Sequence, residues 1–360
     1  MRSLPTSRLV PLALVSVLAL AACAEPPQDE VTSSTTTTAG SSAPAADALP
    51  CLATDVGGVN DKSFSQSANE GLLEGAQALG LESIVIEARS ANDYAPNIAS
   101  LVDQQCTLIV SVGFLQADAT RENAEANPDI DFTTVDDDSV KLPNVRPITF
   151  DSAQPSFLAG YLAASHSTTG KVGTFGGAQI PPVTAFMDGF ALGVEYYNEK
   201  HGTDVEVVGW DPVTQVGVFT GNFVAGPEAK SAAQGILDQD VDVIFAVGGP
   251  IFQSAGEAIK DANREVAMVG VDVDLYYTAP DYQHLFITSV LRRVSEGVKD
   301  SIDQHVDGTF SDEPYVGTLE NGGVDIAPFH DFEDQIPAEI VAELDEVRAG
   351  IIDGSIATTP

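Results

Sequence analysis

The chain has 360 residues and a formal net charge of −37, from 16 lysine and arginine residues against 53 aspartate and glutamate residues. Such an acidic chain repels the phosphates of DNA and RNA, which excludes a nucleic-acid polymer as partner but leaves a small neutral ligand open. Roughly 310 residues follow Pro50, a length that suits two lobes better than one simple core.

The chain opens with the pattern of an export signal. Arg2 and Arg8 precede an uncharged apolar run, Leu9–Ala22, which is shorter than the ~20 residues that a membrane-spanning helix needs. The run ends in Leu-Ala-Ala-Cys, which resembles the lipobox of bacterial lipoproteins. We therefore expect residues 1–22 to be removed and Cys23 to carry a lipid that anchors the exported protein to the outer face of the cell membrane. The alternative is an ordinary signal peptide, with Cys23 incidental.

Residues 23–50 are rich in serine, threonine, proline and alanine and contain almost no large apolar side chains. Such a segment cannot bury enough apolar surface to offset the entropy of ordering. The composition therefore predicts a flexible tether between the lipid anchor and the folded body.

Short apolar runs alternate with amphipathic stretches from residue 51 onward. The predicted strands are Cys51–Val56, Ser83–Glu87, Thr107–Val112, Asp131–Val135, Lys171–Phe175, Val205–Gly209, Val243–Val247 and Ala267–Val271. The predicted helices are Ser65–Leu79, Ala95–Gln105, Ala117–Ala126, Ala185–Lys200, Lys230–Gln239 and Gln253–Asn263. This alternation indicates βαβ units. The predicted fold class is therefore α/β, with two lobes that each contain a doubly wound, mostly parallel sheet.

The alternation stops after about residue 280. The later predictions are a helix over Ser289–Gln304, an extended stretch over Tyr315–Leu319 and a helix over Pro337–Ala349. We expect this segment to cross between the lobes. We assign residues 51–150 and about 280–312 to the first lobe, and residues 151–279 and about 313–330 to the second. Residues 331–360 are expected to form a C-terminal helix and tail.

Two cysteines remain once Cys23 is assigned to the lipid. Cys51 and Cys106 each lie at the start of a predicted strand. In a doubly wound sheet of order 2-1-3 those strands are parallel neighbours, which would bring the two side chains together. An oxidising compartment then favours a disulfide between Cys51 and Cys106, and two buried free thiols are the alternative.

Ligands of open α/β sheets bind at the carboxyl ends of the strands, where loops lead into helices. The loop after the first predicted strand reads Asp-Val-Gly-Gly-Val-Asn-Asp-Lys-Ser-Phe, from Asp55 to Phe64. Its glycines allow a tight turn and a close approach to a ligand. Asp61 and Ser63 have an alternative role as caps of the following helix, and Phe64 has one as a hydrophobic anchor.

Similar side chains follow the other predicted strands. They are Gly113-Phe114, Asp136-Asp137-Asp138, Gly248-Gly249-Pro250-Ile251-Phe252 and Asp272-Val273-Asp274. Carboxylates accept hydrogen bonds from adjacent hydroxyl groups, and aromatic rings suit a flat ligand face. A cleft that combines the two favours a nucleoside or a sugar as ligand.

The sequence contains no recognisable catalytic constellation. It has no Gly-x-Ser-x-Gly elbow, no His-Glu-x-x-His pair and no Walker-type loop, and its five histidines lack the spacing of metal ligands. Asp136-Asp137-Asp138 could suggest a metal, but the acids do not alternate as in a calcium loop, which favours a solvated turn. We expect a binding protein that is not an enzyme and uses no metal or cofactor.

The loop from Asp55 to Phe64 also carries a family resemblance. Together with the following Gln66-Ser67-Ala68 it resembles the basic membrane protein family, the purine-nucleoside-binding lipoproteins of ABC importers. The likeness continues through Phe157–Ala164, Gly170–Gly173 and Gly270–Asp274 and covers nearly the whole folded body. The resemblance implies a hinged type I periplasmic-binding-protein fold that holds a nucleoside between its lobes.

The resemblance also implies a role for single residues, matched by position. Asp55 and Asn60 would contact the ligand from the first lobe, and Phe64 would stack on its base. Asp136 would bind the polar edge of the base, and Asp272 the ribose hydroxyls. The remaining expected contacts are Gly249, Phe252 and Arg292.

Two of these assignments carry an open question. Arg292 stands where the family usually has a lysine, and its planar guanidinium changes the geometry toward a ribose. We favour Phe252 as the second stacking ring, but Phe223 is an alternative, and either ring could instead pack in the core.

These expectations combine into solute capture by lobe closure, because a ligand that contacts both lobes favours the closed state. The partners would be a nucleoside, a purine one by the resemblance, and the permease subunits of an ABC importer, with membrane contact through the lipid alone. The alternatives are the same receptor with a sugar or other polar metabolite, a surface enzyme that acts on nucleosides, and a ligand sensor.

Overall fold

The structure is a computed structural model that describes residues 48–360. The predicted signal peptide, the predicted lipid site Cys23 and nearly all of the predicted tether lie outside these residues. Within residues 48–360, no helix has both the length and the apolar character needed to cross a membrane.

The strands of residues 48–360 form two six-stranded sheets and one two-stranded hairpin. In chain order they are β1 (Pro50–Val56), β2 (Ile84–Ala88), β3 (Leu108–Val112), β4 (Asp131–Val135), β5 (Val145–Phe150), β6 (Lys171–Gly176), β7 (Glu206–Val208), β8 (Trp210–Asp211), β9 (Val216–Gly217), β10 (Val243–Val247), β11 (Ala267–Asp272), β12 (Phe286–Arg292), β13 (Tyr315–Gly317) and β14 (Val324–Ile326). The first sheet has the order β2-β1-β3-β4-β5-β13, and the second has the order β7-β6-β10-β11-β12-β14.

The helices cover the faces of the two sheets. In chain order they are α1 (Phe64–Leu79), α2 (Tyr94–Asp103), α3 (Ala117–Ala126), α4 (Ala153–His166), α5 (Pro181–His201), α6 (Pro227–Leu237), α7 (Ile251–Ala262), α8 (Leu275–Thr278), α9 (Val294–Val306) and α10 (Ala338–Ile352). Short 3₁₀ turns cover Ala91–Asp93, Phe114–Gln116, Gln283–Leu285 and His330–Gln335. Every strand pair in the two large sheets is parallel except β12 with β14. The predicted α/β class is therefore confirmed.

The first lobe is the first sheet with α1, α2, α3 and α9, and the second lobe is the second sheet with the other helices. Central strands such as β3 and β10 are buried over their whole length, which is typical of parallel sheets covered on both faces. In the second lobe, α4 and α5 approach closely enough that a Cβ on Gly160 would lie 2.0 Å from the backbone oxygen of Phe190. Only glycine fits at that crossing.

Two boundaries of the predicted lobes are wrong in part. Residues 280–312 were expected in the first lobe; α9 does pack in its core, but β12 lies in the second sheet, between β11 and β14. Residues 313–330 were expected in the second lobe; β14 does lie in the second sheet, but β13 pairs with β5 in the first. The chain therefore crosses between the lobes after β5, after β12 and after β13.

Helix α10 belongs to the second lobe. Its Leu344, Val347 and Ile351 join the same buried core as Leu158 and Phe190 of α4 and α5. The predicted C-terminal helix is thus present, and it packs as part of one lobe.

The disulfide lies at the edge of the first sheet opposite the cleft described below. Cys51 of β1 and Cys106, just before β3, are joined with an S–S distance of 2.06 Å. Both residues are almost fully buried. Strand β1 lies between β2 and β3, the 2-1-3 order from which the pairing was predicted.

Candidate ligand-binding cleft

The carboxyl ends of the strands in both sheets face one cleft. It encloses about 560 Å³, counting the part that is open to solvent. The first lobe contributes the loop between β1 and α1 and the ends of β3 and β4, and the second lobe contributes the ends of β10, β11 and β12 together with Phe223. This is where ligands of open α/β sheets bind.

The loop between β1 and α1 is held by one of its own carboxylates. Asp61 accepts hydrogen bonds from the backbone N–H groups of Ser63 (3.0 Å), Ser65 (2.9 Å) and Gln66 (3.0 Å). Asp61 therefore caps α1, as the alternative interpretation had it, and it also lines the cleft. Asn60, an expected ligand contact, lies on the exposed side of this loop and not in the cleft lining.

Asp55, at the end of β1, is almost fully buried and lines the cleft. Its Oδ1 accepts hydrogen bonds from the backbone N–H of Val56 (2.6 Å) and from the hydroxyl of Tyr94. Tyr94 is the first residue of α2 and is itself buried. Sequence reasoning did not find Tyr94, because nothing in the pattern of α2 marks a contact with the end of β1.

Arg292, the last residue of β12, joins two cleft carboxylates from different lobes. Its Nη1 donates to both oxygens of Asp136 (2.6 and 2.8 Å), and its Nε and Nη2 donate to Oδ1 of Asp272 (2.8 and 2.5 Å). The guanidinium is almost fully buried, and it also lies about 5 Å from the ring centres of Phe64 and Phe186. Asp136 and Asp272 both have left-handed backbone conformations, with φ of 67° and 70°, which is uncommon for residues other than glycine and clusters at functional sites.

Further hydrogen bonds cross the cleft beside Arg292. The hydroxyl of Ser63 donates to Oδ2 of Asp272 (2.7 Å) and lies 3.0 Å from the backbone oxygen of Val271. The hydroxyl of Thr278 donates to the backbone oxygen of Lys62 (2.8 Å). The two lobes are therefore in direct polar contact through the β1–α1 loop.

The aromatic rings of the cleft come from both lobes. Phe64 lines it from the start of α1, and Phe223 lines it from the second lobe. The ring of Phe223 lies against two strand ends, since a Cβ on Gly177 or Gly248 would lie 2.4 or 2.9 Å from it. The ring therefore fits only because neither glycine carries a side chain.

The prediction that Phe252 is the second ring of the cleft is wrong. Phe252 is fully buried in the core of the second lobe, where it packs against Phe286 and Tyr282 with ring centres 5.9 and 6.2 Å apart. It lies one turn from Ala255 on the face of α7 that covers the sheet. Gly249, three residues earlier, does line the cleft as expected.

Burial shifts the pKa of several ionisable side chains in the cleft. It raises the pKa of Asp55, against the hydrogen bonds from Tyr94 and Val56, and it raises the pKa of Asp61 to about 6. Burial alone would lower the pKa of Arg292, but Asp136 and Asp272 raise it above its ordinary value. Arg292 is therefore a permanent cation among four acidic side chains, a site suited to a ligand rich in hydrogen-bond donors.

Similar proteins agree with this architecture. The profile of the family described as "ABC transporter substrate-binding protein PnrA-like" matches residues 51–357. The chain is 29% identical to "ABC transporter nucleoside-binding protein BmpA" of Lactococcus lactis subsp. cremoris, over 96% of both chains. It is 30% identical to "CD4+ T-cell-stimulating antigen" of Listeria monocytogenes, over 86% of this chain and 87% of that one.

A solved structure has the same arrangement. A solute-binding protein of an ABC transporter system from Aeropyrum pernix superposes with a TM-score of 0.78 at 25% identity, over 86% of this chain and 92% of that chain. The family profile spans nearly all of the described residues, which confirms the resemblance found in the sequence. The chain belongs to the PnrA-like family of ABC transporter substrate-binding proteins.

Proposed function

We propose that this protein captures a nucleoside, preferably a purine nucleoside, between its two lobes and delivers it to the permease of an ABC importer. The observation that carries the proposal is the composition of the cleft, in which carboxylates and aromatic rings are contributed by both lobes. Carboxylates suit the hydroxyl and N–H donors of a nucleoside, and the rings suit the faces of its base.

The polar contacts across the cleft support capture by closure. Ser63 and Asp136 of the first lobe contact Asp272 and Arg292 of the second. A ligand that contacts both sets of residues gains contacts only when the lobes are together, so it shifts the equilibrium toward the closed state. The closed surface is what the permease would then recognise.

Lipid attachment at Cys23 completes the proposal. The tetrad Leu-Ala-Ala-Cys after an apolar run is the pattern of an exported lipoprotein. A lipid at Cys23, followed by the polar segment to residue 50, would keep the receptor beside its permease on the outer face of the membrane. Cys23→Ser should abolish incorporation of radiolabelled palmitate and release the protein into the medium; retained label would refute the anchor.

Isothermal titration of the full chain in detergent tests the ligand. Inosine, guanosine, adenosine and ribose are titrated separately, with Asp55→Ala as the matched variant. We expect heat with at least one purine nucleoside, weaker binding by the variant and no free base when the incubated mixture is chromatographed. Heat with ribose but no dependence on the base would favour a sugar receptor, and release of free base would favour an enzyme.

A further inference from the structure

Two hydrogen bonds fix the carboxylate of Asp55, and both end on the same oxygen. The backbone N–H of Val56 and the hydroxyl of Tyr94 donate to Oδ1. No residue in the described part of the chain donates to Oδ2, which lies beside the cleft residue Gly113. One oxygen is thus used to orient the group and the other stays available as an acceptor.

Tyr94 is held in place by its own surroundings. The turn before α2 is fixed by Asp93, whose carboxylate accepts the backbone N–H groups of Arg89 (2.9 Å) and Ser90 (3.1 Å). Tyr94 is 4% exposed, and its hydroxyl contacts Asp55 near the end of β1. The tyrosine therefore has little freedom to leave the carboxylate.

We propose that Tyr94 is the positioning residue of the ligand site, because its hydroxyl holds Asp55 in the one orientation that presents Oδ2 to a ligand donor. Tyr94 does not line the cleft, so its effect on a ligand passes through Asp55. The inference rests on the proposed function, since it assumes that the ligand binds in the cleft. A carboxylate whose rotamer is locked by such a neighbour binds with less loss of freedom.

The hydroxyl also favours the charged form of Asp55. It opposes the rise in pKa that burial and the nearby Asp136 cause. Removal of the hydroxyl should therefore raise the pKa of Asp55 further. A ligand donor binds the carboxylate form, so affinity is lost as pH falls through the pKa of Asp55, and without Tyr94 this loss begins at a higher pH.

Other ionisable groups lie near Asp55, and in the described residues none of them is hydrogen-bonded to the Tyr94 hydroxyl. Asp136 follows β4 and acts on Asp55 by its charge. Glu87 of β2 accepts the backbone N–H of Val59 in the β1–α1 loop, and Asp61 lies further along that loop. Asp272 and Arg292 face the cleft from the second lobe. Their contributions to a pH profile should be the same with and without the tyrosine hydroxyl, so the difference between the two profiles reports Asp55.

The test is Tyr94→Phe in the full chain, titrated with the purine nucleoside that the wild-type protein binds best, from pH 4.5 to pH 8. Tyr282→Phe is the matched control, because Tyr282 packs on Phe252 in the core of the second lobe. We expect Tyr94→Phe to weaken binding about tenfold, in line with hydrogen bonds to charged groups, and to move the acid limb to higher pH. The control should do neither.

Each other result has a definite meaning. Wild-type protein that binds no nucleoside refutes the proposed function, whatever Tyr94 does. Wild-type binding with an unchanged affinity in Tyr94→Phe overturns the positioning role alone. A uniform loss at every pH, with the acid limb unmoved, assigns Tyr94 to packing and also overturns it. A thermal melt of each variant identifies loss of fold, and Tyr94→Phe removes no carbon from the core.

Discussion

The two lobes hold their cleft carboxylates in different ways. Asp55 is fixed entirely within the first lobe, by Val56 and Tyr94, and keeps one oxygen free of hydrogen bonds from the described residues. Asp272 has both oxygens engaged, one by Arg292 of its own lobe and the other by Ser63 across the cleft. The first carboxylate is oriented before the lobes meet, whereas the second is fully bonded only when they do.

Under the proposed function, this difference gives the two lobes different roles in ligand capture. A site that is complete within one lobe can make the first contact with a ligand while the cleft is open, at little cost in ordering. A site whose hydrogen bonds cross the cleft is complete only when the lobes are together, so it favours the closed state. Arg292 is central to the second arrangement, because it joins Asp272 to Asp136 of the first lobe.

The largest expected effect comes from Arg292→Gln, which removes the cation between two buried carboxylates. We expect the free energy of unfolding to fall by about 3–5 kcal/mol, because breaking a buried pair leaves charges without compensation. Denaturant unfolding measures the loss, and small-angle scattering without added nucleoside should show a larger radius of gyration as the lobes separate.

The neighbouring Arg293 offers a matched control for this variant. Its side chain is 50% exposed, pairs with Glu296 one turn along α9 at 3.6 Å and donates an exposed hydrogen bond to the backbone oxygen of Gly322 (2.9 Å). Arg293→Gln should cost less than about 1 kcal/mol, as exposed pairs do. A loss in Arg292→Gln no larger than in the control would show that the bridge between the lobes contributes nothing.

Substitution of two phenylalanines of the second lobe should affect ligand binding in one case and stability in the other. Phe223→Ala should weaken nucleoside binding by about 1–3 kcal/mol, the scale of base stacking on an aromatic ring, with little change in the melting temperature. Phe252→Ala should instead destabilise the fold by about 3–5 kcal/mol, because it leaves a cavity in the core. Titration calorimetry and thermal melts of both variants measure the two effects. Loss of affinity without loss of stability in Phe252→Ala would show that Phe252 lines the cleft and does not pack in the core.

Most of the fold was predictable because short apolar runs, which mark the buried strands, alternate with amphipathic stretches, which mark the helices. β12 was not, because the prediction began a helix at Ser289, while Phe286–Arg292 is a buried strand rich in β-branched residues. Helix α4 was missed because eleven of its fourteen residues are buried, which removes the polar face that marks a helix in sequence.

The site was predictable at the strand ends and not beyond them. Asp55, Phe64, Asp136, Gly249 and Asp272 all line one cleft, since parallel strands bring their carboxyl ends to one edge. Arg292 lines it too, but it was expected from the family resemblance, because its strand β12 was not predicted. Sequence position could not separate Phe252 from Phe223, because the direction of a ring depends on which face of α7 covers the sheet. Tyr94 was invisible for a similar reason, since its contact with Asp55 depends on how α2 packs across β1.

The smallest expected effect is a pH dependence of stability that comes from Asp61 in the first lobe. Burial raises the pKa of Asp61 from 3.8 to about 6, so this group stabilises the fold fully below pH 3.8 and loses that contribution as pH rises through 6. The free energy of unfolding should therefore be higher at pH 5 than at pH 7.5, by about 1 kcal/mol from this group. In Asp61→Asn the amide oxygen can still accept from the N–H groups of Ser63 and Gln66, although the bond from Ser65 is lost. The side chain no longer ionises, so the pH-dependent gain from Asp61 should disappear. The exposed Asp129→Asn should retain it. An equal pH dependence in the two variants would mean that the carboxylate of Asp61 stays hydrated, and that the β1–α1 loop is not buried by the second lobe in solution.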